Sequence, residues 1–244
     1  LSDVSLPLLA LTAFLFRADL SGATDLPPIR TEAGITEVVL GPDMPVALSG
    51  HKQSQRAELS ETATSDDVNT AAGPVWVRFS VWLDPVTALP ENGAKLHVAQ
   101  FHQREGRDGA AATPALMLNL TEEGDLVAQF ERAVGKRAYR LVAGGVGRDA
   151  ALGQWIDIAI GADWRMAGGW TEILVRPEGA ADWQSVAWDD GMNTSTGHVF
   201  FKFGLYRSFL ERDPGLADRP ARALFRTPVR GTDPRTVLGL AAAR

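Results

Sequence analysis

The chain has 244 residues, 45% hydrophobic and 22% charged, enough for one large soluble domain or two small ones. Its net charge of −6 argues against a dedicated nucleic-acid surface, which needs a basic face, while still allowing a local cluster of cations to meet a polyanion. With no cysteine it can hold no disulfide, thiolate metal site or cysteine nucleophile.

The apolar stretch from Leu6 to Phe16 is too short to span a bilayer and contains Pro7. It has neither a basic run before it nor a small-residue cleavage site after it, so it reads as a strand or helix packing on the core. Strand-like segments then recur between turn signals. Ile35–Leu40 precedes a Gly-Pro-Asp turn, and Gln55–Leu59 alternates polar with apolar. Val75–Leu83 is the cleanest alternation, with Val75, Val77, Phe79, Val81 and Leu83 on one face and Trp76, Arg78, Ser80 and Trp82 on the other. Lys95–His102, Ala115–Leu120 and Asp125–Glu131 follow, with a hairpin turn at Glu123-Gly124. Gly144–Gly147 reads as a flexible loop over a groove. Trp155–Ile160 and Trp170–Arg176 are further strands, and His198–Ser208 is the last. Beyond Leu210 the chain is rich in Arg and Pro and reads as an extended strap, with a short helix over Arg235–Ala243.

Many strands without long amphipathic helices between them predict an all-β chain. The expectation is a single domain over residues 1–244, a jelly-roll (concanavalin-like) β-sandwich whose concave sheet forms a groove.

Three segments place polar residues at i and i+2, hence on one side of a sheet. They are Arg56 with Glu58, Gln100 with His102, and Lys202 with Gly204 and Tyr206. Singly, each has an ordinary explanation: a surface ion pair, a solvent-facing strand-end histidine, an amphipathic tyrosine at a sheet edge. Together they supply a cation, an amide donor, bare backbone and two proton-transfer groups, which suits an anionic sugar.

The run Phe200-Phe-Lys-Phe-Gly-Leu-Tyr206 resembles the Tyr-Phe-Lys-x-Gly-x-Tyr strand of jelly-roll polysaccharide lyases, the group of alginate, glucuronan and heparinase-I-type enzymes. The Arg-x-Glu and Gln-x-His segments match that group in type and order, so the resemblance spans Arg56 to Tyr206. Pro114-Ala-Leu-Met-Leu, Trp155-Ile-Asp-Ile, Gly169-Trp-Thr-Glu and Arg207 after the tyrosine are similar to the glucuronan-lyase and heparinase-I branch. Alginate lyases tend to have asparagine at that last position. The resemblance implies β-elimination on a 4-linked uronic-acid polysaccharide, with a glucuronan-like polymer favoured.

In that chemistry Arg56 and Gln100, with His102 completing the set, neutralise the uronate carboxylate. Tyr206 transfers the proton as base and acid, and His102 is the alternative base. Lys202, Arg78, Trp82 (or Trp76), Asn119 and Arg207 are the candidates for substrate binding, with Arg207 pointing to the opposite face by strict alternation and reaching substrate only where the strand bulges or ends. No cofactor is required, and a structural Ca²⁺ is left open at acidic loop residues such as Asp66 and Asp67. The expected partner is the anionic polysaccharide, with no nucleic acid and no membrane. The protein is expected to be a monomer and, given the size of a polymer substrate, secreted or periplasmic.

Other chemistries lack their signatures. Asp189-Asp190 are adjacent, so they face opposite ways and do not form a glycosidase pair. There is no Gly-x-Ser-x-Gly elbow or phosphate-binding glycine loop, and the four histidines lack metal-ligand spacing. The rival reading is a non-catalytic carbohydrate-binding module on the same fold.

Overall fold

In a computed structural model of the chain, described for residues 16–21, 28–49, 52–61, 73–103, 113–131, 136–147, 150–165, 168–190 and 199–240, fifteen strands form two antiparallel sheets. The strands are β1 (Phe16–Leu20), β2 (Ile29–Glu32), β3 (Ile35–Leu40), β4 (Ala47–Ser49), β5 (Lys52–Glu61), β6 (Val75–Leu83), β7 (Lys95–Gln103) and β8 (Pro114–Leu120). They continue as β9 (Leu126–Glu131), β10 (Lys136–Val142), β11 (Trp155–Asp163), β12 (Trp170–Pro177), β13 (Gln184–Asp189), β14 (Val199–Ser208) and β15 (Ala221–Gly231). A short helix α1 (Pro234–Leu238) follows, started by Asp233, whose carboxylate accepts from the amides of Arg235 and Thr236, and ended by Gly239 at φ 70°.

The first sheet runs β1-β5-β14-β7-β8-β9-β10, with β4 paired to β5. The second runs β13-β12-β11-β6-β15-β3-β2. Alternation decides which side of each strand faces between them. Phe201, Phe203 and Leu205 of β14, Phe101 of β7 and Leu116, Leu118 and Leu120 of β8 meet Val77, Phe79 and Val81 of β6, Ile156, Ile158 and Ile160 of β11, and Phe225 of β15. Rings from the two layers touch directly, with Phe79 and Phe201 at 5.3 Å and Phe203 and Phe225 at 5.2 Å between centroids. Each such side chain buried contributes about 1.5–3 kcal/mol. The result is the jelly-roll sandwich expected of the sequence.

The structure departs from the sequence expectation after Leu210. The supposed strap contains the eleven-residue β15, which lies inside the second sheet between β6 and β3. Ala221, Ala223 and Phe225 alternate into the core, and Pro228 falls in the irregularity between Arg226 and Val229, where no ladder bond from its nitrogen is needed. The Gly144–Gly147 segment is a set turn: Val146 bridges Leu152, and the Gly144 amide donates to Asp125 Oδ1 at 2.6 Å. Asp66, Asp67, His198 and most of the Leu6–Phe16 segment lie outside the described residues.

Candidate active site

The outer face of the first sheet collects the three polar pairs. Across β5 and β14, Arg56 lies opposite Tyr206, Glu58 opposite Gly204 and Ser60 opposite Lys202. Across β14 and β7, Lys202 lies opposite Gln100 and Phe200 opposite His102. Arg56, Gln100, His102, Lys202 and Tyr206 therefore share one surface, as neighbours on three adjacent strands.

Gly204 has a structural duty. At φ 137° it adopts a conformation that disfavours side chains, and an added Cβ would come within 2.4 Å of the Ala57 carbonyl oxygen and 2.7 Å of Glu58 Cα. Its bareness serves the approach of β5 to β14, where the sequence suggested room for a sugar.

Ion pairs tie the cations together. Asp19 of β1, opposite Glu58 in register, accepts from Arg56 Nη1 at 3.1 Å and Lys202 Nζ at 2.9 Å. Burial alone would raise the Asp19 carboxyl, but Lys202 and Arg56 outweigh it and hold it below the ordinary range. Glu58 is fully buried, accepts from Gln100 Nε2 at 2.5 Å and lies 3.2 Å from Arg56 Nε. Burial pushes its carboxyl up against the pull of Arg56 and Lys202. Burial works against the charge on Arg56, yet Glu58 and Asp19 raise its hold on the proton.

Tyr206 is enclosed on both sides. The Arg56 guanidinium sits 4.2 Å from its ring centroid, and the His97 ring stacks on it at 4.9 Å and 20°. His97 Nδ1 donates to Asn119 Oδ1 at 2.6 Å, and the Ser208 hydroxyl donates to Nε2 at 3.0 Å. Burial, reinforced by Lys95, drives its pKa down to about 3, so the ring is neutral. His102 Nδ1 donates to the Gln103 carbonyl at 2.7 Å, which leaves Nε2 as the basic nitrogen. Burial lowers its pKa as well.

Three of the nine candidates lie off this surface, and a fourth, Asn119, is engaged within it. Arg78 and Trp82 are on β6 of the second sheet and face away from the core, so the whole sandwich separates them from Tyr206. Trp82 there neighbours Arg222, at 5.7 Å. Arg207 turns into the interior and is 0% exposed, donating to Gln55 Oε1 at 3.0 Å and to the Arg219 carbonyl at 2.7 Å. That position excludes sugar contact. Asn119 is on the expected surface but 5% exposed, with its carbonyl engaged by His97.

Sequence reasoning missed Asp19, His97 and Ser208. Strict alternation from Gln100 and His102 assigns His97 to the core. A bulge at Val98 adds a residue to β7 between His97 and Ala99 and turns His97 outward. Ser208 was legible, since it continues the even-numbered face of Lys202 and Tyr206. Among the described residues, no group of three or more His, Asp or Glu could hold a metal ion, and no helix is long and apolar enough to cross a membrane.

A two-sheet jelly roll with paired cations, a phenol and imidazoles on one outer sheet face has the layout of a carbohydrate-active protein. A family model described as polysaccharide lyase matches residues 28–230, and the chain belongs to that family: it is a polysaccharide lyase. Among solved structures it is similar to an alginate lyase from Pseudomonas aeruginosa, at 20% identity and TM-score 0.55 over 87% of this chain and 88% of that one. An alginate lyase from Corynebacterium sp. gives 16% identity and TM-score 0.55 over 86% and 82% of the two chains. A marine alginate lyase from Aplysia kurodai gives 13% and 0.52 over 84% and 87%. At such identities the likeness is one of fold. A search of curated protein sequences finds no match.

Proposed function

We propose that this lyase cleaves a 4-linked uronic-acid polysaccharide by β-elimination, leaving an unsaturated uronate at the new end, on the outer face of the first sheet. The observation that carries this reading is the placement of Tyr206 against Arg56, on the same face as Gln100 and His102. Elimination needs the carboxylate neutralised beside the acidic C5 proton, a base for that proton and an acid for the departing oxygen. Arg56 and Gln100 take the first role, each with hydrogen-bond donors. Tyr206 takes the second and third where proton and leaving group lie on one side of the ring. His102, neutral and with Nε2 free of the proton, takes the second where they lie on opposite sides. Lys202 binds a carboxylate on the same face.

The motif resemblance favours a glucuronan-like polymer. Arg207, one of the residues behind that preference, is buried and carries no sugar contact. The substrate is therefore read directly, by ultraviolet absorbance with glucuronan, alginate, heparin, heparan, hyaluronan and ulvan, with and without Ca²⁺. Rising absorbance identifies both reaction and polymer, because hydrolysis makes no conjugated double bond. Tyr206→Phe should lower turnover by about 10²-fold or more while retaining polymer binding. Near-normal turnover in that variant would sink the mechanism. Flat traces across the panel with retained binding replace it by the carbohydrate-binding reading.

A further inference from the structure

The mechanism above leaves unused a buried imidazole in direct contact with its central residue. His97 has no place in the charge neutralisation: it is 3% exposed and both its ring nitrogens are occupied. Its partners come from two other strands, Asn119 on β8 and Ser208 on β14, so three strands converge on one ring. A buried neutral imidazole needs one acceptor and one donor, and here both come from side chains set on neighbouring strands. The amide oxygen takes the Nδ1 proton and the hydroxyl proton fills Nε2, which locks ring plane and tautomer together. The ring so fixed lies nearly parallel to Tyr206.

We propose that His97, held by Asn119 and Ser208, is a positioning residue for Tyr206: a neutral wall that, with Arg56 on the phenol ring, fixes the direction of the hydroxyl. The inference rests on the reading of Tyr206 as the proton-transfer group. Two features support it beyond the stack. Ser208 is two residues from Tyr206 on the same strand and face, so the hydroxyl that holds His97 moves with the tyrosine it serves. The bulge that turns His97 outward is matched by a second irregularity between Phe203 and Tyr206 in the β14–β7 pairing, and the two bring the rings opposite each other. Charge matters to the design. The groups acting on His97 from the surrounding elements are Lys95 on its own strand, Lys52 and Arg56 on β5, Asn119 on β8, and Tyr206 and Ser208 on β14. Burial first, and then these charged members, all cations, keep the imidazole uncharged and leave Arg56 as the cation against the phenol.

The test separates positioning from mere packing. The chain has two tyrosines, so ring resonances of tyrosine-labelled protein are assigned to Tyr206 by their loss in Tyr206→Phe. In the native protein the Tyr206 ring signals should be displaced by the stacked imidazole, and in His97→Ala they should return toward ordinary values. With the polymer found above, His97→Ala should lower kcat by about tenfold to a hundredfold and change KM by about twofold or less, since a misdirected proton-transfer group spoils the transition state more than binding. His97→Phe keeps a stacked ring and should recover part of kcat. Where His97→Ala does not fold, Ser208→Ala serves: it frees Nε2 without changing bulk, and should lower kcat about threefold and shift the Tyr206 signals. A folded variant with native kcat, or Tyr206 signals unmoved in His97→Ala and Ser208→Ala alike, overturns the proposal. Native turnover in Tyr206→Phe overturns the reading beneath it, while the resonances still report whether His97 holds the ring.

Discussion

Gln100 donates from Nε2 to Oε1 of Glu58 at 2.5 Å, between two buried side chains on strands that do not pair with each other. The bond reaches across β14, whose Gly204 lies opposite Glu58 and whose Lys202 lies opposite Gln100. It spends one N–H of the amide on Glu58 and fixes its orientation, leaving the second N–H as the donor for the carboxylate contact proposed above.

That relationship makes Glu58 a point of failure. Glu58→Gln removes the charge that Arg56 faces and allows the amide of Gln100 to turn over. Hydrogen bonds to charged groups contribute about 1.5–3 kcal/mol, so kcat/KM should fall about tenfold to a hundredfold. Initial rates on the identified polymer check it, with circular dichroism to confirm folding.

Asp19 occupies both cations of the face. Asp19→Asn leaves Arg56 and Lys202 with one less countercharge, so the KM for a polyanion should fall about twofold to fivefold at low salt and depend more steeply on ionic strength. The bridge is part-exposed, so its loss should cost stability about 1 kcal/mol or less. Rates from low to high salt decide the matter: an unchanged slope would show that Asp19 leaves the cations untouched.

His97 makes stability sensitive to acid. Its folded pKa is about 3 against an ordinary 6.5. Between those values the unfolded chain binds a proton that the native one does not, so its contribution weakens stability as pH falls. From pH 7 to pH 5 that amounts to about 2 kcal/mol. Glu58 slopes the other way, because its raised pKa makes the folded state bind the proton more tightly and stability fall as pH rises through the carboxylate range. Denaturant unfolding at both pH values should show a shallower difference in His97→Phe than in the native protein.

Arg207 and Trp82 test the assignment of faces. Arg207→Ala leaves Gln55 Oε1 and the Arg219 carbonyl without their buried donor, at a cost of about 3–5 kcal/mol. The folded fraction should keep its KM. Trp82→Ala, on the far sheet, should leave kcat and KM unchanged. Loss of polymer affinity in Trp82→Ala would place a binding surface there after all.

Period-two alternation gave the strands that carry the site, because a face buried against a core leaves a strong and local signal. Val75–Leu83 has the same bounds in the structure as in the sequence reading, and Lys202, Gly204 and Tyr206 share a face as their spacing requires. The sequence was less clear where local rules compete. β15 reads as a strap because Pro228, the prolines flanking the strand and its arginines mask the alternation of Ala221, Ala223 and Phe225, and only its place between β6 and β3 supplies the pairing that makes it a strand.

The sequence by itself determined the sandwich, the polar faces of β5, β7 and β14, and the family to which they belong. Tertiary structure decided which sheet each face lies on and which residues meet there. Alternation says that Arg78 and Trp82 share a side, but not that the core stands between them and Tyr206. Bulges also escape a period-two reading, since one inserted residue reverses every side chain beyond it: Val98 turned His97 from the core to the outer face of the first sheet. Asp19 came to the site from the opposite end of the chain through β1–β5 pairing, a long-range contact that only the folded sheet specifies.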